Sequence, residues 1–190
     1  QKYLAAGADI IETNTFSSQP ISMSDYHIAE YSNEITKAGC KIAREIADEF
    51  TAIDPTKPRF VAGSIGPTNK ACSISPDINN PAVRDISFDE MVHAYKLQMT
   101  EMLLCDVDAF LIETIFDTLN AKAAIYAAEE AMNSIGKRIP LMLSATIADT
   151  GGRTLSGQTL DAFVTSVKHA DIFSSGLNCS FGAKQLKPFI

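Results

Sequence analysis

Cysteine is scarce and scattered: Cys40, Cys72, Cys105 and Cys179 are the only four. They include no C-x-x-C pair and no Cys/His cluster at metal-ligand spacing, so neither a disulfide framework nor a spacing-defined metal site is expected. The expected setting is reducing and cytoplasmic, and three of the four cysteines read as small buried hydrophobes. No run approaches the roughly 18 apolar residues of a membrane span. The opening residues Gln1-Lys2-Tyr3-Leu4 do not lead a charged segment into a long apolar one, so no signal peptide is read there. Clustered lysine and arginine are missing too. The net charge is −7 and the pI is near 4.9, which argues against a binder of nucleic-acid phosphates. What is present is ordinary for a globular chain: 46% apolar and 21% charged over 190 residues, enough for one domain with a true core.

Five short runs are apolar and β-branched, and each ends in small or polar residues. They are residues 9–15, 59–66, 108–114, 140–146 and 172–179. Their length and near-continuous apolarity fit buried parallel strands. Helical patterns separate them. Ile28, Tyr31, Ile35, Ala38, Ile42, Ile46 and Phe50 recur at three- and four-residue steps and predict one apolar stripe. Ser87-Phe88-Asp89-Glu90 is a capping-box signature that opens a helix with Met91, Ala94, Tyr95, Met102 and Leu103 on its inner face. Asp117 opens a third helix through Ala121, Ala124, Ile125, Ala128 and Met132, with Gly136 as its stop. A fourth runs from near Thr159 to Ala170.

Strict alternation of strand and helix predicts a parallel sheet with helices outside it. A doubly wound nucleotide-binding sheet is expected to carry a glycine-rich first turn, and neither G-x-G-x-x-G nor G-x-x-x-x-G-K-[ST] occurs. The favoured architecture is an incomplete (β/α)8 TIM barrel, with about five of eight βα units present. Gln1–Ala8 reads as the tail of a helix and Ala183–Ile190 as a helix just begun. Residues 1–190 are therefore expected to form a single partial barrel domain, truncated at both ends.

In a barrel the reacting groups sit at the C-terminal ends of the strands and in the loops that follow. Those ends carry Glu12-Thr13-Asn14, Ser64, Glu113-Thr114, Ser144 with Thr146, and Asn178-Cys179. Long loops at 66–86 and 149–158 suit a covered site. Cys179 at a strand end reads as a nucleophile or soft-metal ligand, or else as an inert buried thiol. No histidine lies at a strand end, because His27, His93 and His169 fall in helical stretches. Glu113 closes an apolar strand and must meet a cation or donors there. It could hold a substrate ammonium, or pair with a nearby lysine or arginine. Thr13 and Asn14 could bind a carboxylate through side-chain or backbone donors, or cap their loop.

The same residues carry a resemblance. The segments ETNTF (12–16), GSIGPTN (63–69), SISPD (73–77), IETIFDTLNAKAA (112–124), GRTLSGQT (152–159) and GLNC (176–179) are similar to the homocysteine-binding module of the cobalamin-dependent methionine synthases. These belong to the wider homocysteine S-methyltransferase family. The likeness spans essentially the whole chain. The shorter GLNC piece is shared with corrinoid-independent members that use betaine or S-methylmethionine. The Ser-Pro-Asp loop and Arg-Thr-Leu-Ser-Gly-Gln favour the cobalamin branch.

The resemblance implies a (β/α)8 barrel that makes L-methionine from L-homocysteine, with methylcobalamin as donor. It implies zinc held by three thiolates, of which Cys179 matches the first. The other two would form a Cys-Cys pair that this chain does not contain. Substrate contacts are implied at Thr13, Asn14, Glu113 and Ser144. Cobalamin and folate would bind on other modules of a parent chain. On this reading the 190 residues by themselves are expected to be an inactive structural fragment.

Overall fold

The computed structural model describes all residues 1–190. Five strands, β1 (Ile10–Glu12), β2 (Phe60–Ile65), β3 (Ala109–Ile115), β4 (Leu141–Ala145) and β5 (Ser174–Leu177), form one sheet in the order β1-β2-β3-β4-β5. Every neighbouring pair is parallel. Sequential order without reversal is the winding of a barrel wall; a doubly wound sheet would reverse its order at a switch point. β1 and β5 have free outer edges, so the wall is an open arc.

The helices are α1 (Lys2–Ala5), α2 (Pro20–Ser24), α3 (Ser32–Ile53), α4 (Phe88–Leu104), α5 (Thr118–Ile135), α6 (Leu160–Val167) and α7 (Ala183–Leu186). Short 3-10 turns precede α3 and follow α7. The Ser87 capping box is formed in both directions. Asp117 caps α5 through the N–H groups of Leu119 and Asn120, and Gly136 ends that helix at φ +75°. α6 is shorter than expected and stops at Val167.

Alternation assigns the two faces of the sheet. Val61, Ile65, Phe110, Ile112, Ile115, Leu141, Leu143 and Ala145 point to the helices and join one buried cluster with α4 and α5. α5 contributes a run of fully buried alanines, Ala123, Ala124, Ala127, Ala128 and Ala131, which lets it lie close to α4 and the sheet. The register then puts Glu12, Ser64, Glu113, Ser144 and Gly176 on the opposite, concave face.

α3 departs from its predicted stripe. Its buried residues are Ser32, Thr36, Cys40, Ala43 and Ala47, whereas Ile35 and Ile42 are exposed. Small residues win the inner face because the loop after β1 lies against the helix. A Cβ on Gly39 would sit 2.9 Å from Thr15 Cγ2 and 3.1 Å from the Asn14 carbonyl oxygen. The isoleucine stripe instead lines an open groove of about 450 Å³ with Tyr3 and Ile11, along the free edge of β1.

Candidate functional site

The two ends of the strands differ in chemistry. At the N-terminal ends, charges are paired: Arg44 with Asp108 at 2.6 Å and Arg59 with Asp9 at 3.2 Å. At the C-terminal ends, Glu12 and Glu113 stand on the concave face, and neither belongs to any of the seven ion pairs. Glu113 is held by Ser64, whose hydroxyl donates to Oε1 at 2.6 Å. Burial, and then the negative charge of Glu113, push the Glu12 carboxyl above its ordinary value.

A bulge in β3 builds the next part of the site. Ile112 pairs with Leu143 and Ile115 with Ala145, so Glu113 and Thr114 together oppose the single residue Ser144. Thr114 takes φ +59°, which is rare for a β-branched residue. The backbone N–H of Thr114 turns to the end of β5 and donates to Asn178 Oδ1 at 3.0 Å. Ser144 Oγ donates to the same oxygen at 2.9 Å. Asn178 Nδ2 donates to Thr114 Oγ1 at 2.8 Å and lies 3.5 Å from Cys179 Sγ. That sulfur is also 3.9 Å from Thr114 Oγ1. Cys179 is exposed and sits in the left-handed region at φ +59°.

Across the arc, the end of β1 is tied to β2. Thr13 is buried: its N–H donates to Ala62 O at 3.0 Å, and its hydroxyl accepts from Ser64 N at 3.0 Å and meets Thr15 Oγ1 at 2.6 Å. Asn14 is exposed, and neither its side chain nor its N–H is hydrogen-bonded within the chain. A buried polar web fixes this loop from beneath. Gln98 Nε2 donates to Thr15 O at 2.7 Å and to Ser18 Oγ at 3.0 Å, and Ser18 meets Thr36 at 2.7 Å. Gly66 is required here: its N–H donates to Phe16 O at 2.9 Å, and a Cβ would fall 2.7 Å from that oxygen.

The sheet thus brings Glu113, Ser144 and Cys179 to adjacent strand ends, with Asn14 on the far side of β2. Ser64, Glu12, Thr114 and Asn178 complete the cluster; the sequence marked each as a polar strand-end residue but assigned none of them a role. The alternation of the strands carried a signal for Glu12 and Ser64; the bulge that turns Thr114 toward β5 left none. The two long loops fold over the rim onto the start of α5. Ser73 donates to Asp117 Oδ2 through N–H and hydroxyl, and Ser156 N–H donates to Phe116 O.

The remaining thiols stand apart. Burial pushes Cys40 up to about 12 and Cys72 up to about 11, so both are inert. No group of three His, Cys, Asp or Glu side chains is arranged to hold a metal ion. Cys179 alone cannot complete a tetrahedral zinc site, and the residues present do not fit that metal without further ligands. No helix is long and apolar enough to cross a membrane.

Comparison with known proteins bears on this geometry. Residues 1–190 match the homocysteine S-methyltransferase family. Among solved structures, the metallated form of the Escherichia coli homocysteine methyltransferase MmuM is similar with a TM-score of 0.75 at 19% identity, covering 96% of this chain and 62% of that one. The oxidized form of the same enzyme gives 0.72 at 20% identity, covering 93% and 59%. At such identity the likeness shows the fold. The chain spans less than two thirds of the length of these structures.

Proposed function

The chain belongs to the homocysteine S-methyltransferase family, and on that premise we propose that its concave face binds L-homocysteine for methylation at sulfur. The observation that carries this reading is the exposed Cys179 sulfur 3.9 Å from Thr114 Oγ1, directly after the unpaired Glu113 on the same bulge. An amino-acid thiol has a cationic end and a sulfur end, and this strand rim offers a carboxylate beside a sulfur.

In this reading Glu113, oriented by Ser64, takes the α-ammonium as a charge-assisted hydrogen bond. Asn14 offers its free amide and N–H to the α-carboxylate. Thr13 has its donors committed, so it holds the strand end in place. Ser144 stands between the two ends of the substrate and steadies Asn178. In the transfer, the substrate sulfur bonds to the methyl carbon, the donor keeps the electron pair of the broken bond, and the thiol proton passes to solvent. Residues 1–190 are read as one barrel-wall domain of a longer methionine-forming enzyme, and as inactive by themselves.

Cys179 would lend one thiolate to a zinc site completed by ligands that residues 1–190 do not hold. Methylcobalamin, carried on another module beside a folate-binding one, is the donor we favour. The support is the resemblance of the Ser-Pro-Asp loop and of Arg153-Thr154-Leu155-Ser156-Gly157-Gln158 to the cobalamin branch.

The test is methionine formation from L-homocysteine by the full-length protein, with methylcobalamin, S-methylmethionine or betaine supplied in turn. Turnover with methylcobalamin is expected. Turnover only with S-methylmethionine or betaine would overturn the donor, and no turnover with any of the three would overturn the function.

A further inference from the structure

Five non-glycine residues adopt left-handed backbone, and two of them, Thr114 and Cys179, touch one carboxamide, with a third, Ser180, next along the chain. Such backbone is strained for a residue with a Cβ and persists only where its surroundings over-determine it. That carboxamide belongs to Asn178. Its Oδ1 accepts from the Thr114 N–H at 3.0 Å and from Ser144 Oγ at 2.9 Å. Its Nδ2 donates to Thr114 Oγ1 at 2.8 Å and reaches Cys179 Sγ at 3.5 Å. Its backbone N–H donates to Ala145 O at 3.1 Å, and its carbonyl accepts from Thr146 Oγ1 at 3.3 Å. One side chain therefore spans the ends of β3, β4 and β5.

We propose that Asn178 is a positioning residue that locks the β3 bulge to the end of β5 and aims the Cys179 sulfur at the concave face. Oδ1 and Nδ2 divide the work. The oxygen gathers donors from β3 and β4, which fixes the strand ends. The nitrogen holds Thr114 Oγ1 and the sulfur, which fixes where Cys179 points. An aspartate in this position would keep the first task and could still accept from the Thr114 hydroxyl, but it offers the sulfur no donor. An alanine would lose both. The inference rests on the methyl-transfer reading only for its purpose, namely that a sulfur at the rim must be aimed. The hydrogen bonds stand without it.

The experiment is alkylation of the full chain by iodoacetamide, with each cysteine followed by peptide mass mapping. It is run at a pH where the Cys179 rate has stopped rising, and thermal melting is recorded alongside. Half-buried Cys105 serves as the internal reference. Releasing the sulfur from its donor raises the limiting Cys179 rate by about fivefold, the scale of one net hydrogen bond. That rise is expected in both Asn178→Asp and Asn178→Ala with the Cys105 rate unchanged, and Asn178→Asp melts closer to the parent. If Asn178→Ala does not fold, Asn178→Asp carries the test alone. A Cys179 rate in Asn178→Asp within about twofold of the parent overturns the proposal. So does an acceleration of all the thiols in step, which marks loosening of the fold and no specific hold on the sulfur. Because alkylation reads the sulfur directly, the methionine assay can fail while this result stands, and the reverse.

Discussion

Glu12 and Glu113 put two carboxylates on one concave face with Ser64 between their strands and no cation at hand. The Glu12 carboxyl is raised by burial first and by Glu113 second. A carboxyl raised in the folded state contributes stability that is complete below its ordinary value of 4.5 and is lost as pH climbs through the folded value. At neutral pH the ionised Glu12 therefore works against the fold. Glu12→Gln is expected to melt above the parent at neutral pH, with the gap closing as pH falls below the ordinary carboxylate range. Thermal scans at the two pH values check this, and an equal gap at both would contradict the electrostatic cause. Much of the site was legible in the residues. Polar groups closing apolar runs marked Glu113, Ser144 and Cys179, because a barrel works at those ends. Thr114 and Asn178 were harder to weigh, since the bulge that joins them depends on pairing between β3 and β4 and leaves no trace in composition.

At the scale of elements, local signals were strongest where side chain and backbone meet. The Ser87 capping box and the Asp117 and Gly136 boundaries follow from the hydrogen-bonding needs of helix ends. Asp117 does more than cap α5. It is buried and also accepts from Ser73 N–H and Oγ, tying the long loop after β2 to the start of the helix. Asp117→Ala is expected to cost about 1–2 kcal/mol, read by urea unfolding, because it removes the cap and strands the Ser73 donors. Asp117→Asn, which keeps one acceptor oxygen, is expected to lose less; equal losses would argue against the capping role. α3 shows where periodicity misleads. Two faces of that helix are apolar, and the bulkier one suggested the core. Close approach of the 13–19 loop selects the small face of Cys40, Ala43 and Ala47, and burial of that kind is set by a neighbour far along the chain.

At the scale of the whole molecule, one arc of parallel strands sorts its charges by end. Ion pairs brace the N-terminal rim, and unpaired carboxylates with an exposed sulfur occupy the C-terminal rim. Sequential strand order is what gathers these residues, because each βα unit delivers its own strand end to the same side. The alternation of strands and helices made this arc readable from sequence. The central claim is that Glu113 grips the cationic end of an amino-acid thiol at that rim. Steady-state kinetics of Glu113→Gln in the full-length protein, with homocysteine as the varied substrate, tests it most directly. The account predicts a KM raised roughly tenfold to a hundredfold, the worth of a hydrogen bond to a charged group, with kcat nearly unchanged. An unaltered KM would contradict it.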